Sequence, residues 1–122
     1  MTIGIGTDII EIHRIEEMIE KWGESFLDKV FTENERIYSE LKSNKYQHYA
    51  ARFACKEAFF KAASHIPGFQ FNWKSVEVSN SPSGKPEIIP DVSHNAVFEG
   101  LKFHLSLSHS NTHAIAFVLI EN

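Results

Sequence analysis

The chain has 122 residues, 43% of them hydrophobic and 23% charged, and a net charge of −4 from 12 Lys and Arg against 16 Asp and Glu. This predicts one domain over 1–122 with a modest core, and ten Phe with two Trp argue against disorder. The acidic balance excludes general nucleic-acid binding, and no apolar run approaches the ~20 residues of a membrane span. Cys55 is the only cysteine, so no intrachain disulfide can form. Met1-Thr2-Ile3-Gly4 is not the basic-then-apolar start of a signal peptide, and the expected location is the cytoplasm.

Residues 2–9 predict a strand, with β-branched Ile3, Ile5 and Ile9, and with Gly4 and Gly6 allowing close backbone approach. Residues 11–22 predict a helix, since Ile12, Ile15, Ile19 and Trp22 recur at helical spacing and Gly23 can stop it. A short helix over 24–31 carries Phe26, Leu27, Val30 and Phe31. Thr32 with Glu35 is a capping-box pattern that opens a helix to about Leu41, and the polar residues 42–45 form a loop. The longest helix is expected over 47–64, where alanine is frequent and Ala50, Ala54, Ala58 and Ala62 make a small-residue stripe. Residues 65–73 are irregular.

Strands over 75–79 and 86–89 are joined by the turn signal Asn80-Ser81-Pro82-Ser83-Gly84-Lys85. Asp91 can cap a short helix to about Gly100. Residues 102–108 alternate, with Phe103, Leu105 and Leu107 facing one way and His104, Ser106 and Ser108 the other. An apolar strand over 113–120 completes a hairpin with them. The predicted class is α+β, a small antiparallel sheet packed against a long central helix.

Two motifs put ionisable groups into apolar runs, where charge is costly without a partner: Gly4-Ile5-Gly6-Thr7-Asp8-Ile9-Ile10-Glu11-Ile12 and Arg52-Phe53-Ala54-Cys55-Lys56-Glu57-Ala58-Phe59-Phe60-Lys61-Ala62. Asp8 and Glu57 would make a hard oxygen site for a divalent cation, with Arg52, Lys56 and Lys61 supplying positive charge. Taken singly, Asp8 reads as a turn or cap acid, and Glu57 as a surface residue paired with Lys61 one turn on. His109 and His113 are four apart but straddle a turn and have no Cys beside them, so zinc is not expected. Cys55 reads as a small buried residue.

These motifs, with Gly84-Lys85-Pro86 and Ser106-Leu107-Ser108-His109, closely resemble the holo-acyl-carrier-protein synthases, the short bacterial-type phosphopantetheinyl transferases. The resemblance runs from about Ile3 to Glu121. It implies a phosphopantetheinyl transferase-like fold and transfer of phosphopantetheine from coenzyme A to a serine of apo acyl carrier protein, in fatty acid biosynthesis. It implies Mg²⁺ on Asp8 and Glu57, with Asp8, Glu57 and Lys61 as catalytic residues. Arg52, Lys56 and Lys61, with Gly84, Lys85, Pro86, Ser108 and His109, would contact coenzyme A. Glu57 and a water on the cation are both candidate bases for the serine proton. The carrier would dock on the first helix at Arg14, Met18 and Lys21, and the protein would be a homotrimer with active sites between subunits.

The chain departs from the family pattern in two places. Ala63-Ser64-His65-Ile66-Pro67-Gly68 replaces a glycine-containing turn after the second motif. Glu16, Glu17, Glu20 and Glu24 share the docking region with Arg14, Lys21 and Lys29, where the family is more basic. The alternatives are a coenzyme A-binding homologue without catalysis, a transferase serving a different carrier, or a small interaction protein with a metal-stabilised fold.

Overall fold

Alanine at every fourth position makes one helix the axis of the molecule. In the computed structural model, which describes residues 1–122, that helix is α4 (Lys45–Ala63), and its Ala50, Ala54, Ala58 and Ala62 are all buried. The first strand, β1 (Thr2–Glu11), lies directly on this stripe. A Cβ placed on Gly4 would stand 1.8 Å from the carbonyl oxygen of Ala62, and one on Gly6 would stand 2.0 Å from that of Ala58. Strand and helix therefore meet backbone to backbone, a contact only glycine permits. This close seat brings Asp8 to α4.

Between them run α1 (Ile12–Trp22), α2 (Glu24–Val30) and α3 (Glu33–Glu40). Gly23, at φ 54°, ends α1, and its N–H donates to the Ile19 carbonyl at 2.7 Å. The capping box at Thr32 and Glu35 opens α3 as predicted, with the Thr32 N–H donating to the Glu35 carboxylate at 2.8 Å.

The strands form two antiparallel sheets where the sequence suggested one. β1, β5 (His113–Glu121) and β4 (Lys102–His109) make a three-stranded sheet in the order β1-β5-β4, and β2 (Val76–Asn80) and β3 (Pro86–Pro90) pair as a separate hairpin. β1 extends past residue 9 because β5 is long enough to pair Glu11 with His113. The alternation in β4 holds: Phe103, Leu105 and Leu107 pack on the core together with buried Ala114, Ala116, Val118 and Ile120 of β5. Phe59 of α4 meets Phe69, Phe98 and Phe103 edge to face at 5.9, 5.7 and 5.3 Å. The opposite face of this sheet leaves Ile5, Ile9, Ile115 and Phe117 exposed.

The helix expected from Asp91 to Gly100 is a single 3₁₀ turn, Val92–His94, followed by turns. Asp91 does cap it, its carboxylate accepting from the Ser93 N–H at 3.2 Å. Ser93, His94 and Asn95 are weak helix formers, and Phe98 anchors the segment in the core without a longer helix.

Candidate active site

The two faces of α4 separate the charged residues of the second motif. Residues four apart share a face, so Glu57 and Lys61 look toward β1, while Arg52 and Lys56 look toward α3 and β2. On the first face a small pocket of about 220 Å³ is lined by Asp8, Ile9, Ile10, Arg14, Met18, Phe53 and Glu57. The first motif and the first helix thus meet the second motif at one place.

Lys61 does not pair with Glu57. Its ammonium donates to the Thr7 carbonyl at 2.9 Å and to Asp8 Oδ1 at 3.3 Å. Glu57 takes part in none of the chain's ion pairs. Burial first, and then the neighbouring Asp8 carboxylate, raise its pKa above the usual carboxylate value, while Lys61 and Arg14 oppose the shift. Two facing carboxylates, one of them carrying an unfavourable charge, are a donor set that a hard cation would relieve. No cluster of three or more His, Cys, Asp or Glu groups exists, so such a cation would hold two protein carboxylates and fill its remaining positions with water or substrate oxygens.

Arg52 lies five residues before Glu57, about 7.5 Å along the helix axis at 1.5 Å per residue. It belongs to a second pocket of about 380 Å³ shared with Tyr38, Lys42, Asn80 and Gly84, among others. The Arg52 guanidinium donates to Asn80 Oδ1 at 2.7 Å and sits over the Tyr38 ring, 4.3 Å from its centroid. Its Nε is buried without a partner. Burial lowers its pKa, with the Glu35 charge opposing. Lys42 also lies over Tyr38, at 4.8 Å. Gly84, at φ 88°, makes the turn between β2 and β3, and its carbonyl accepts from Asn80 Nδ2 at 3.1 Å. Lys85 ends the turn and Pro86 opens β3, and both lie outside the lining of this pocket. Burial, and then the charges of Arg52, Lys42 and His109, lower the pKa of His48, which lies one turn before Arg52 on α4.

Ser108 is not brought to either pocket. It pairs with Ile115 on the outer face of the sheet, opposite to the core face that Asp8 shares with Ile10. Lys21 sits at the end of α1 over Trp22, 5.1 Å from the ring centroid, away from the Asp8 pocket.

Lys56 corrects one expectation. The family resemblance puts it beside the coenzyme A groove, but it is 1% exposed and bound to Glu35, also 1% exposed, at 2.7 Å. Its other contacts are the carbonyls of Val30 at 2.9 Å and Trp73 at 2.7 Å. Cys55 is buried as expected, with its thiol pushed up to about 12 by burial and by the Glu35 charge, so it is no nucleophile. The sequence reading missed Tyr38, Lys42, His48, Phe53 and Asn80. Only His48 and Phe53 carried a signal, His48 four residues before Arg52 and Phe53 four before Glu57.

The fold and this pair of pockets fit a transferase of the phosphopantetheine type. Residues 4–118 match the model of the 4'-phosphopantetheinyl transferase superfamily, and the chain belongs to it. Within that family it is similar to the holo-[acyl-carrier-protein] synthase of Halothermothrix orenii, at 45% identity over 99% of this chain and 98% of the relative. The crystal structure of the Neisseria meningitidis synthase superposes with a TM-score of 0.89 at 30% identity, covering 100% of both chains. That of the Bacillus anthracis synthase, in complex with CoA (3',5'-ADP), gives 0.80 at 38% identity over 98% of this chain and 96% of the other.

Proposed function

We propose that the chain transfers phosphopantetheine from coenzyme A to a serine of apo acyl carrier protein, supplying holo carrier for fatty acid biosynthesis in the cytoplasm. The observation that carries this reading is the convergence of Asp8 and Glu57 with Arg14 and Met18 around one pocket, with Lys61 bonded to Asp8 beside it. The bound nucleotide of the Bacillus anthracis relative supports coenzyme A as the donor.

In this reading Asp8 and Glu57 hold Mg²⁺, which supplies charge neutralisation on the pyrophosphate when bound. Lys61, anchored by the Thr7 carbonyl, holds its ammonium against the phosphate oxygens as the bond to adenosine 3',5'-bisphosphate breaks. Arg52, aligned by Asn80 and Tyr38, takes a phosphate of the nucleotide end, and Gly84 lets that end approach the backbone. The family resemblance assigns Lys85, Pro86 and His109 to the same end. Arg14 and Met18 border the pocket from α1 and receive the carrier, with Lys21 a further contact along the same helix.

We further propose a homotrimer. Its support is the exposed apolar face of Ile5, Ile9, Ile115 and Phe117. Ser108 shares that outer face, so packing of a second copy there would bring Ser108 next to a neighbouring subunit. Light scattering at micromolar protein would give a trimer mass, and a monomer mass would refute this part.

The test of the function is direct. Protein, coenzyme A, Mg²⁺ and an apo carrier are incubated, and the carrier is weighed by mass spectrometry. A mass gain of one phosphopantetheine is expected. Coenzyme A binding without transfer would instead favour a non-catalytic homologue.

A further inference from the structure

We infer that Glu35 and Lys56 are positioning residues that fix the β2–β3 hairpin against α4 and so keep Asn80 on Arg52. Neither side chain lines the two pockets described above. Both are nonetheless ionised residue types that the fold has buried almost completely.

Their hydrogen bonds account for this. One Glu35 oxygen accepts from the Thr32 N–H at 2.8 Å and from Lys56 at 2.7 Å. The other accepts from the Val78 N–H of β2 at 2.7 Å. Lys56 spends its remaining donors on Val30, at the end of α2, and on Trp73, just before β2. Five segments converge on one ion pair: the end of α2, the start of α3, α4, the approach to β2 and β2 itself. Burial lowers the Lys56 pKa, and the Glu35 carboxylate opposes that shift. A buried pair of this kind gives little net stability over apolar residues of equal volume, but it fixes geometry.

The geometry it fixes leads to the second pocket. Val78 is two residues before Asn80 on the same strand, so both project to the same side of the hairpin. Lys56 is one turn after Arg52 on the same face of α4. The pin at Glu35–Val78 therefore sets where Asn80 Oδ1 falls, 2.7 Å from the Arg52 guanidinium. The Tyr38 ring supports the Arg52 guanidinium from one face, and its Nε is unpartnered. Its direction within that stack is set by the bond to Asn80, and the position of Asn80 depends on Glu35 and Lys56. The inference rests on the reading of Arg52 as a coenzyme A contact.

The test is a double-mutant cycle on coenzyme A affinity, measured by calorimetry well below each variant's unfolding temperature. Wild-type protein is measured first. Failure of the wild type to bind coenzyme A would count against the proposed function itself and would overturn with it the role of Arg52 on which the inference rests. With binding established, Lys56→Met is expected to weaken affinity about tenfold. In an Arg52→Met background the same change is expected to add less than twofold, because it acts through Arg52. Val118→Ala, in the buried part of the other sheet, serves as a destabilised control and should leave the affinity of the folded protein unchanged. If Lys56→Met does not fold, Glu35→Gln keeps the shape and one acceptor and takes its place, with the same expected pattern. Affinity within twofold of wild type, or a loss that multiplies with that of Arg52→Met, would overturn the inference.

Discussion

Two lysine–carboxylate pairs stand on opposite faces of α4, five residues apart, and they are built from the same chemistry for different ends. Lys56 and Glu35 are 1% exposed and have every polar contact supplied by the protein. Lys61 and Asp8 are 52% and 18% exposed in their side chains, with a longer contact of 3.3 Å, and Glu57 beside them has no ion-pair partner at all. The first pair is closed to any further ligand. The second is left open, and its unspent charge is what a cation and a phosphate would complete. Sequence proximity therefore says little about role: Lys56 and Glu57 are neighbours, and one serves the fold while the other faces the pocket.

The sharpest way to break this contrast is to remove Lys56. Lys56→Met leaves Glu35 charged and buried, and should cost about 3–5 kcal/mol of folding free energy. Urea unfolding reads this directly, and a loss below ~1 kcal/mol would place the pair outside the structural frame. The open side should respond through rate. Asp8→Ala and Glu57→Ala should each lower turnover by about a hundredfold or more, since cation stabilisation of the transition state contributes several kcal/mol. Near wild-type turnover in both variants, folded and at saturating Mg²⁺, would remove the cation from these residues.

A smaller effect is expected where the pocket meets α1. Arg14→Glu should raise KM for the carrier far more than KM for coenzyme A, because exposed charges govern encounter. The interspersed glutamates at 16, 17, 20 and 24 should make this step less salt-sensitive than in a basic relative. Initial rates at low and high salt test both points, and equal effects on the two substrates would indicate a fold defect. The smallest effect is in pH. Glu57 has a folded pKa above its unfolded value, so its contribution to stability is present below the unfolded value and is lost as pH rises through the folded value. Glu57→Gln should abolish this part of the pH dependence of unfolding, and saturating Mg²⁺ should offset it in the wild type.

How much of this was legible in the sequence depends on the range of the interaction. The alanine stripe, the Thr32–Glu35 box and the alternation of 102–108 are local patterns, and each appears in the fold as read. The meeting of Asp8 with α4 was legible because Gly4 and Gly6 mark a close approach and the two motifs match a family. The Lys56–Glu35 pair was hidden, since its partners are 21 residues apart and Glu35 was already explained as a cap. The identical residue type at 61 gave no hint that one lysine is buried and the other open. The short turn at Val92–His94 was misread as a helix because a cap signal says where a helix can begin, not whether Ser93, His94 and Asn95 can sustain it. The separation of β2–β3 from the larger sheet, and Ser108 facing away from Asp8, arise from strand order, which no local pattern encodes.

In the proposed function the open pair carries the chemistry, while the closed pair carries the fold. Lys61→Met tests this division most directly, with urea unfolding and phosphopantetheine transfer measured on one preparation. An exposed ion pair contributes at most about 1 kcal/mol, so unfolding should shift by no more than that while turnover falls at least tenfold. Undiminished turnover, or a stability loss as large as that of Lys56→Met, would contradict the account.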